Sequence, residues 1–173
     1  MNLILIIRGT NKLALLSTIC LSAMLLLASC ATSSSQARLS VTVYPASSDV
    51  NIGDTLTFDV LIDTEVLSRG AQCTLTFNPD VITCTGITEG NFYKDWAVAN
   101  GCTTVLVPEP VIDNENGRIS DIGIAILGTT EGGVKGKGVL FTYHFSAIAK
   151  GVAAPGLSDI IISDELGNTL QVQ

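Results

Sequence analysis

Beyond residue 38 the chain alternates between apolar and polar positions. Leu39, Val41 and Val43 share one phase against Ser40 and Thr42. Leu56, Phe58, Val60 and Ile62 alternate with Thr57, Asp59 and Leu61, and Ala71, Cys73, Leu75 and Phe77 with Gln72, Thr74 and Thr76. Val139, Phe141, Tyr143 and Phe145 alternate with Leu140, Thr142 and His144. Successive side chains of a strand point to opposite faces, so each run predicts a half-buried antiparallel strand. The β-branched residues that dominate these runs suit a pleated surface. Turn-forming clusters separate them: Asn51-Ile52-Gly53-Asp54, Asn78-Pro79-Asp80, Gly132-Gly133, Pro155-Gly156 and Gly167-Asn168. Asn116-Gly117 predicts a hairpin turn, because both residues accept positive φ. No window of 12 residues after position 38 carries a helical period. The pattern predicts an all-β domain over residues 39–173, with roughly seven to nine strands in a sandwich of jelly-roll or Greek-key connections.

The first residues follow a different rule. Arg8 and Lys12 precede an uncharged, mostly apolar run from Leu13 to Ser29. A basic region followed by such a run predicts a secretory signal segment over residues 1–29. Its length also sits near the lower limit for a membrane-spanning helix, so an uncleaved anchor is the second reading. Leu27-Ala28-Ser29-Cys30 resembles the lipobox of bacterial lipoproteins, which implies a diacylglycerol on Cys30 and a membrane-anchored, extracytoplasmic domain. Residues 30–38, with their small polar side chains, predict a flexible tether.

The balance of charge narrows the partners. The 173 residues carry 9 Lys+Arg against 16 Asp+Glu, a formal net charge of −7, with 47% hydrophobic and 14% charged residues. A chain this apolar and this weakly charged is not intrinsically disordered. Its few, scattered basic residues offer no patch to neutralise phosphates, which argues against nucleic acid as a partner.

Two stretches bring a family into view. Val50-Asn51-Ile52-Gly53-Asp54-Thr55 leads into a strand, and Gly70 to Ile82 reads GAQCTLTFNPDVI, followed by Thr88-Glu89-Gly90-Asn91-Phe92. Together with Gly138-Val139-Leu140 and the closing Leu157-Ser158-Asp159 through Asp164-Glu165-Leu166-Gly167-Asn168, these resemble the cohesin family in order and spacing over most of residues 39–173. The resemblance implies a nine-stranded jelly-roll β-sandwich. It also implies a non-enzymatic role in which one flat sheet face binds a dockerin-like module, in a setting of polysaccharide degradation. The resemblance implies a face built from strands 3, 5, 6 and 8 of the sandwich, with Gln72, Thr74 and Thr76 on strand 3. Arg118 to Leu127 (RISDIGIAIL) would form the sixth, where both phases are apolar or small; one of them, Ile122, Ile124 and Ile126, is assigned to the partner-binding face.

Chemistry beyond binding is sparse. His144 is the single histidine, sits mid-strand and has no nucleophile motif beside it, so no catalytic residue is assigned. No cofactor is expected. Asp113 and Glu115 within Asp113–Gly117, and Asp164 near Asn168, concentrate oxygen atoms of the kind Ca²⁺ takes, although polar turns use the same residues. Cys73 falls on a core phase, so any disulfide would join Cys84 and Cys102. Phe92, Tyr93 and Trp96 cluster outside the strands, either as a carbohydrate platform or as a plug for the open end of the sandwich. Carbohydrate binding and a structural or adhesive surface role are the alternatives to protein binding.

Overall fold

Fourteen residues of alternating burial, Thr55–Ser68, form the longest strand of the first sheet, and the equally long Val134–Ala147 lies antiparallel beside it. The computed structural model describes residues 37–128 and 131–173; the signal segment, Cys30 and the tether up to Gln36 lie outside them. Twelve strand segments follow one another in the described residues: β1 (Leu39–Tyr44), β2 (Ser48–Val50), β3 (Thr55–Ser68), β4 (Gly70–Thr76), β5 (Ile82–Glu89), β6 (Thr103–Leu106), β7 (Val111–Asp113), β8 (Arg118–Leu127), β9 (Val134–Ala147), β10 (Gly151–Ala153), β11 (Gly156–Ser163) and β12 (Thr169–Leu170). The number exceeds the expected nine because edge segments of two or three residues, β2, β7, β10 and β12, form separate ladders. One large sheet has the order β1-β3-β9-β5; the other has the order β12-β11-β4-β8-β6, with β7 also on β8; β2 and β10 pair in a separate two-stranded sheet.

The inward phases of the two sheets supply the core. Phe58, Val60, Ile62, Phe141, Tyr143 and Phe145 from one meet Ala71, Cys73, Leu75, Ile119, Ile122, Ile124 and Ile126 from the other, all buried. Phe145 touches both layers. Its ring stands edge-on to Phe58 at 5.8 Å and to Phe77 at 5.1 Å, the geometry that aromatic quadrupoles favour.

One helix interrupts the strand pattern: α1 (Asn91–Ala99), nine residues long. It is too short to show a period in a longer window. Tertiary packing of Phe92, Tyr93 and Ala97 holds it, since helices of this length are marginal alone. Tyr93 Oη donates to Ser68 Oγ at 3.0 Å beneath the end of β3. Burial raises the Tyr93 phenol above its ordinary range, with the Ser68 bond opposing.

Edges are blunted in two ways. Between β6 and β7 runs Val107-Pro108-Glu109-Pro110, and two prolines cannot donate to an incoming strand. At the other sheet's edge the Asn114 side chain imitates a strand partner: its Oδ1 accepts from Cys84 N at 2.8 Å and its Nδ2 donates to Cys84 O at 3.1 Å. The turn after β7 thereby ties the second sheet to β5. We expect Asn114→Ala to leave both Cys84 backbone groups unpaired and to cost about 1–3 kcal/mol. Denaturant unfolding measures the loss, and faster amide exchange at Cys84 localises it.

Candidate protein-binding face

The outward face of the larger sheet is built around two irregularities. Pairing of β4 with β8 slips between Cys73 and Leu75, and pairing of β4 with β11 slips between Ser158 and Ile161. At each slip an aspartate takes the left-handed conformation, Asp121 at φ 58° and Asp159 at φ 51°. Asp tolerates this region better than most residues, and an extra residue there re-aims the side chains beyond it. In β8 the result is that Ile119 and Ile122, three apart, both point inward.

This corrects the assignment of Ile122, Ile124 and Ile126 to the partner face: they are 0%, 3% and 4% exposed and belong to the core. The phase that faces outward is Gly123, Ala125 and Leu127. Gln72 and Thr76 do lie on the outward side of β4. Thr74 lies on the same side but is covered, because its hydroxyl binds the Asp159 carboxylate, which also takes Ser158 Oγ at 3.1 Å and the Arg118 guanidinium at 3.3 Å. The hydroxyls of Ser158 and Thr74, ahead of the arginine, hold Asp159 below the usual carboxylate range.

The registers line up two rows across this face. Ile161, Gln72 and Gly123 stand opposite one another, with Val107 held beside Gly123 by its N–H to Gly123 O at 3.0 Å. Ser163, Gly70, Ala125 and Val105 form the next row. The space above both glycines is already taken, over Gly123 by backbone, which forbids a larger residue, and over Gly70 by a side chain that can turn away. A Cβ on Gly123 would stand 2.5 Å from Val107 O, and one on Gly70 would stand 2.7 Å from Ser163 Oγ. With Ala125 they leave a shallow trough of about 200 Å³. Its walls are Ile161 on β11 and Val105 and Val107 beyond β8, and Gln72 brings a polar group into it. β11 and β6, which carry Ile161 and Val105, lie three strand spacings apart, about 14 Å between backbones. Val107 and Leu127 expose 57% and 47% of their surface, so the face is apolar as well as flat.

The other sequence-derived sites take different places. Phe92 and Tyr93 are buried and Trp96 packs partly against the core, so these three plug the end of the sandwich and form no exposed platform. Cys84 and Cys102 are free thiols, not a disulfide, and Cys73 is also free. Cys73 lies 3.8 Å from Tyr143 Oη, and burial pushes its thiol up to about 11. His144 shares a hydrogen bond with Thr88 Oγ1 at 3.1 Å on the outer side of the smaller sheet.

The calcium candidates are occupied by their own turns. Asp113 accepts from the N–H groups of Glu115 and Asn116 and from Asn116 Nδ2, and Asp164 accepts from the N–H groups of Leu166 and Asn168 and from Asn168 Nδ2. Among the described residues no three His, Cys, Asp or Glu side chains gather as metal ligands, and Asp113 and Asp164 cap their own turns, with Glu115 contributing its backbone N–H. The hydrogen bonds from Asn116 and from Asn168 lower the Asp113 and Asp164 carboxyls below the ordinary 3.8. A depressed folded-state value stabilises the fold fully above the ordinary range, and the contribution is lost as pH falls through and below it. We expect the Asp113→Asn, Asp164→Asn double variant to show a flatter stability profile than the parent between about pH 5 and 2, read by denaturant midpoints.

No protein-family model and no curated protein matches the chain. Solved structures do. A non-cellulosomal cohesin from the hyperthermophilic archaeon Archaeoglobus fulgidus superposes with a TM-score of 0.57 at 18% identity, over 78% of this chain and 84% of that one. The second type II cohesin module of the adaptor ScaA scaffoldin of Acetivibrio cellulolyticus gives 0.60 at 12% identity, over 78% and 82%. A type II cohesin–X–dockerin complex from the same organism gives 0.59 at 10% identity, over 79% and 92%. At these identities the likeness is one of fold: the described residues form a cohesin-like β-sandwich.

Proposed function

We propose that this chain is a non-catalytic binding module that presents the outward face of β11, β4, β8 and β6 to a dockerin-like protein module, held at an extracytoplasmic membrane surface through Cys30. The observation that carries the reading is the trough itself. Two glycines and an alanine flatten its floor, and exposed Ile161 and Val107 wall it with apolar surface. Proline-interrupted pairing at the β6–β7 edge disfavours an added strand, so a partner would dock on the face. Solved complexes of cohesin-like neighbours with dockerins support the partner class. The lipobox-like Leu27-Ala28-Ser29-Cys30 supports the anchor.

The test is capture of dockerin modules by the purified full chain, with surface plasmon resonance reading affinity. Failure of a broad dockerin panel, including modules encoded beside this chain, would remove the partner class. Mass spectrometry of the mature protein for a diacylglyceryl-modified Cys30 tests the anchor separately.

A further inference from the structure

The outer side of the smaller sheet holds a second concavity, remote from the trough because the core lies between them. Its volume is about 410 Å³, within the range of small-ligand sites. Ser40 and Thr42 of β1, Asp63 of β3, Lys137 of β9 and Asn91 at the start of α1 line it with polar groups, while Leu61 and Val139 supply apolar surface. Asp63, Lys137 and Asn91 are held in place. Asp63 is clamped by Lys137 Nζ at 3.1 Å and by Arg38 at 3.1 Å, and Asn91 Oδ1 accepts from Val139 N at 3.1 Å. Two residues along β1 from Thr42, on the same face, stands Tyr44, 65% exposed. Opposite it is Asp59, whose carboxylate takes the Thr142 hydroxyl at 2.6 Å.

From these groups we infer that the outward face of β1, β3 and β9 binds a neutral carbohydrate, with the Tyr44 ring as its stacking surface and the groove beside Thr42 as its hydroxyl-reading subsite. Each alternative class meets an obstacle on this face. From Ala37 onward the chain has seven basic against sixteen acidic residues, which repels anionic ligands. Cations find Asp63 already neutralised by two partners. A purely apolar ligand would strip water from hydroxyl, carboxylate and amide groups without replacing their hydrogen bonds. A pyranose ring satisfies both kinds of surface, offering C–H faces to Tyr44, Leu61 and Val139 and hydroxyls to Ser40, Thr42 and Asn91. This site does not rest on the protein-binding reading of the opposite face.

The test is isothermal titration of the full chain, kept in a sugar-free zwitterionic detergent. The probes are unbranched hexasaccharides of glucose, xylose and mannose, with a galacturonic acid hexamer as the acidic comparison. We expect at least one neutral hexamer to bind and the acidic one not to bind. Tyr44→Ala should weaken binding about tenfold, Tyr44→Phe should leave it near the parent, and Thr42→Arg, which fills the groove from an exposed position, should abolish it. Thermal melts confirm that each variant is folded. Absence of binding by every neutral hexamer at millimolar concentration overturns the inference. So does equal binding of the acidic one, or parent-like binding by either Tyr44→Ala or Thr42→Arg. Loss of sugar binding in Ala125→Arg would move the site to the opposite sheet and overturn it as well.

Discussion

Ala125→Arg is expected to weaken capture of a dockerin module by about 100-fold or more, with the melting temperature nearly unchanged. Ala125 lies between Gly70 and Val105 on the floor of the trough, with its methyl on the outward side. A guanidinium there has solvent to occupy in the free protein, so folding tolerates it. In the complex the same group stands where the partner must approach the sheet, and it is either crushed or stripped of water without a partner. A 100-fold loss corresponds to about 2.7 kcal/mol, within the range for a residue at the centre of an interface. Gln72→Ala should cost less, about tenfold, since it removes a hydrogen-bonding group and leaves the surface open. Surface plasmon resonance on both variants, beside thermal melts, reads the effect. Parent-like affinity in Ala125→Arg would place the partner elsewhere. A charge at Ile124, one residue away, should do something different. That side chain is 3% exposed, so Ile124→Arg is expected to unfold the domain before any partner is met.

Phe145→Ala carries the largest expected loss of stability, about 3–5 kcal/mol. The ring is 1% exposed and bridges the two sheets through edge contacts with Phe58 and Phe77. Removing it leaves a void between layers that are each held rigid by their own ladders, so the surroundings can close it only in part. Because a domain of this size has a total stability of about 5–15 kcal/mol, the variant should sit close to its unfolding midpoint at physiological temperature. Equilibrium urea unfolding measures the change, and Phe145→Leu, which restores most of the volume, should recover all but about 1.5 kcal/mol. A loss in Phe145→Ala below about 1 kcal/mol would show that the sheets are not locked together at this point.

How far the sequence reveals this molecule depends on the range of the interaction in question. The phase of Phe58, Val60 and Ile62, and of Phe141, Tyr143 and Phe145, is a local property of alternation, and these residues are the core of the smaller sheet. The hairpin at Asn116-Gly117 is equally local: it joins β7 to β8 with Asp113 opposite Arg118, although the turn spans 114–117 and only Gly117, not Asn116, takes positive φ. In Arg118–Leu127 alternation alone fails, because an aspartate in a left-handed turn inserts a residue and puts Ile119 on the side that Ile122 occupies. The signal was present in part, since Gly123 and Ala125 form the small-residue phase of the strand. Choosing between two apolar phases required knowing the register against β4. The residues that wall the trough, Val105, Val107, Ile161 and Ser163, come from three further segments, and nothing in their local sequence announces that they meet. Tyr44 escaped for a related reason: a single aromatic at a strand end has no pattern, and only the sheet shows which outward residues share its face.

The cysteines and the acidic turns make the same point about distance. Cys84 and Cys102 are near enough in sequence to suggest a bond, yet one lies in β5 and the other follows α1, and both are free. Asp113 and Asp164 have the oxygens a cation wants, but backbone amides two to four residues away reach those oxygens first. By itself, then, the order of residues determined that the domain is made of strands, where most of them turn, and most of the buried side chains of the smaller sheet, because these follow from a two-residue period and from short-range φ preferences. The exception is the slip beside Leu61, which buries Leu140 and turns Val139, expected on the core phase, to the outer side. Only the tertiary structure decided which face of β8 meets solvent, how Gly70, Gly123 and Ala125 join into one flat floor, and that Tyr44 shares the outward face of β1 with Thr42, which lines a polar concavity. Those outcomes are set by bulges and by pairing between segments tens of residues apart, and a strand's register is defined only by its neighbour.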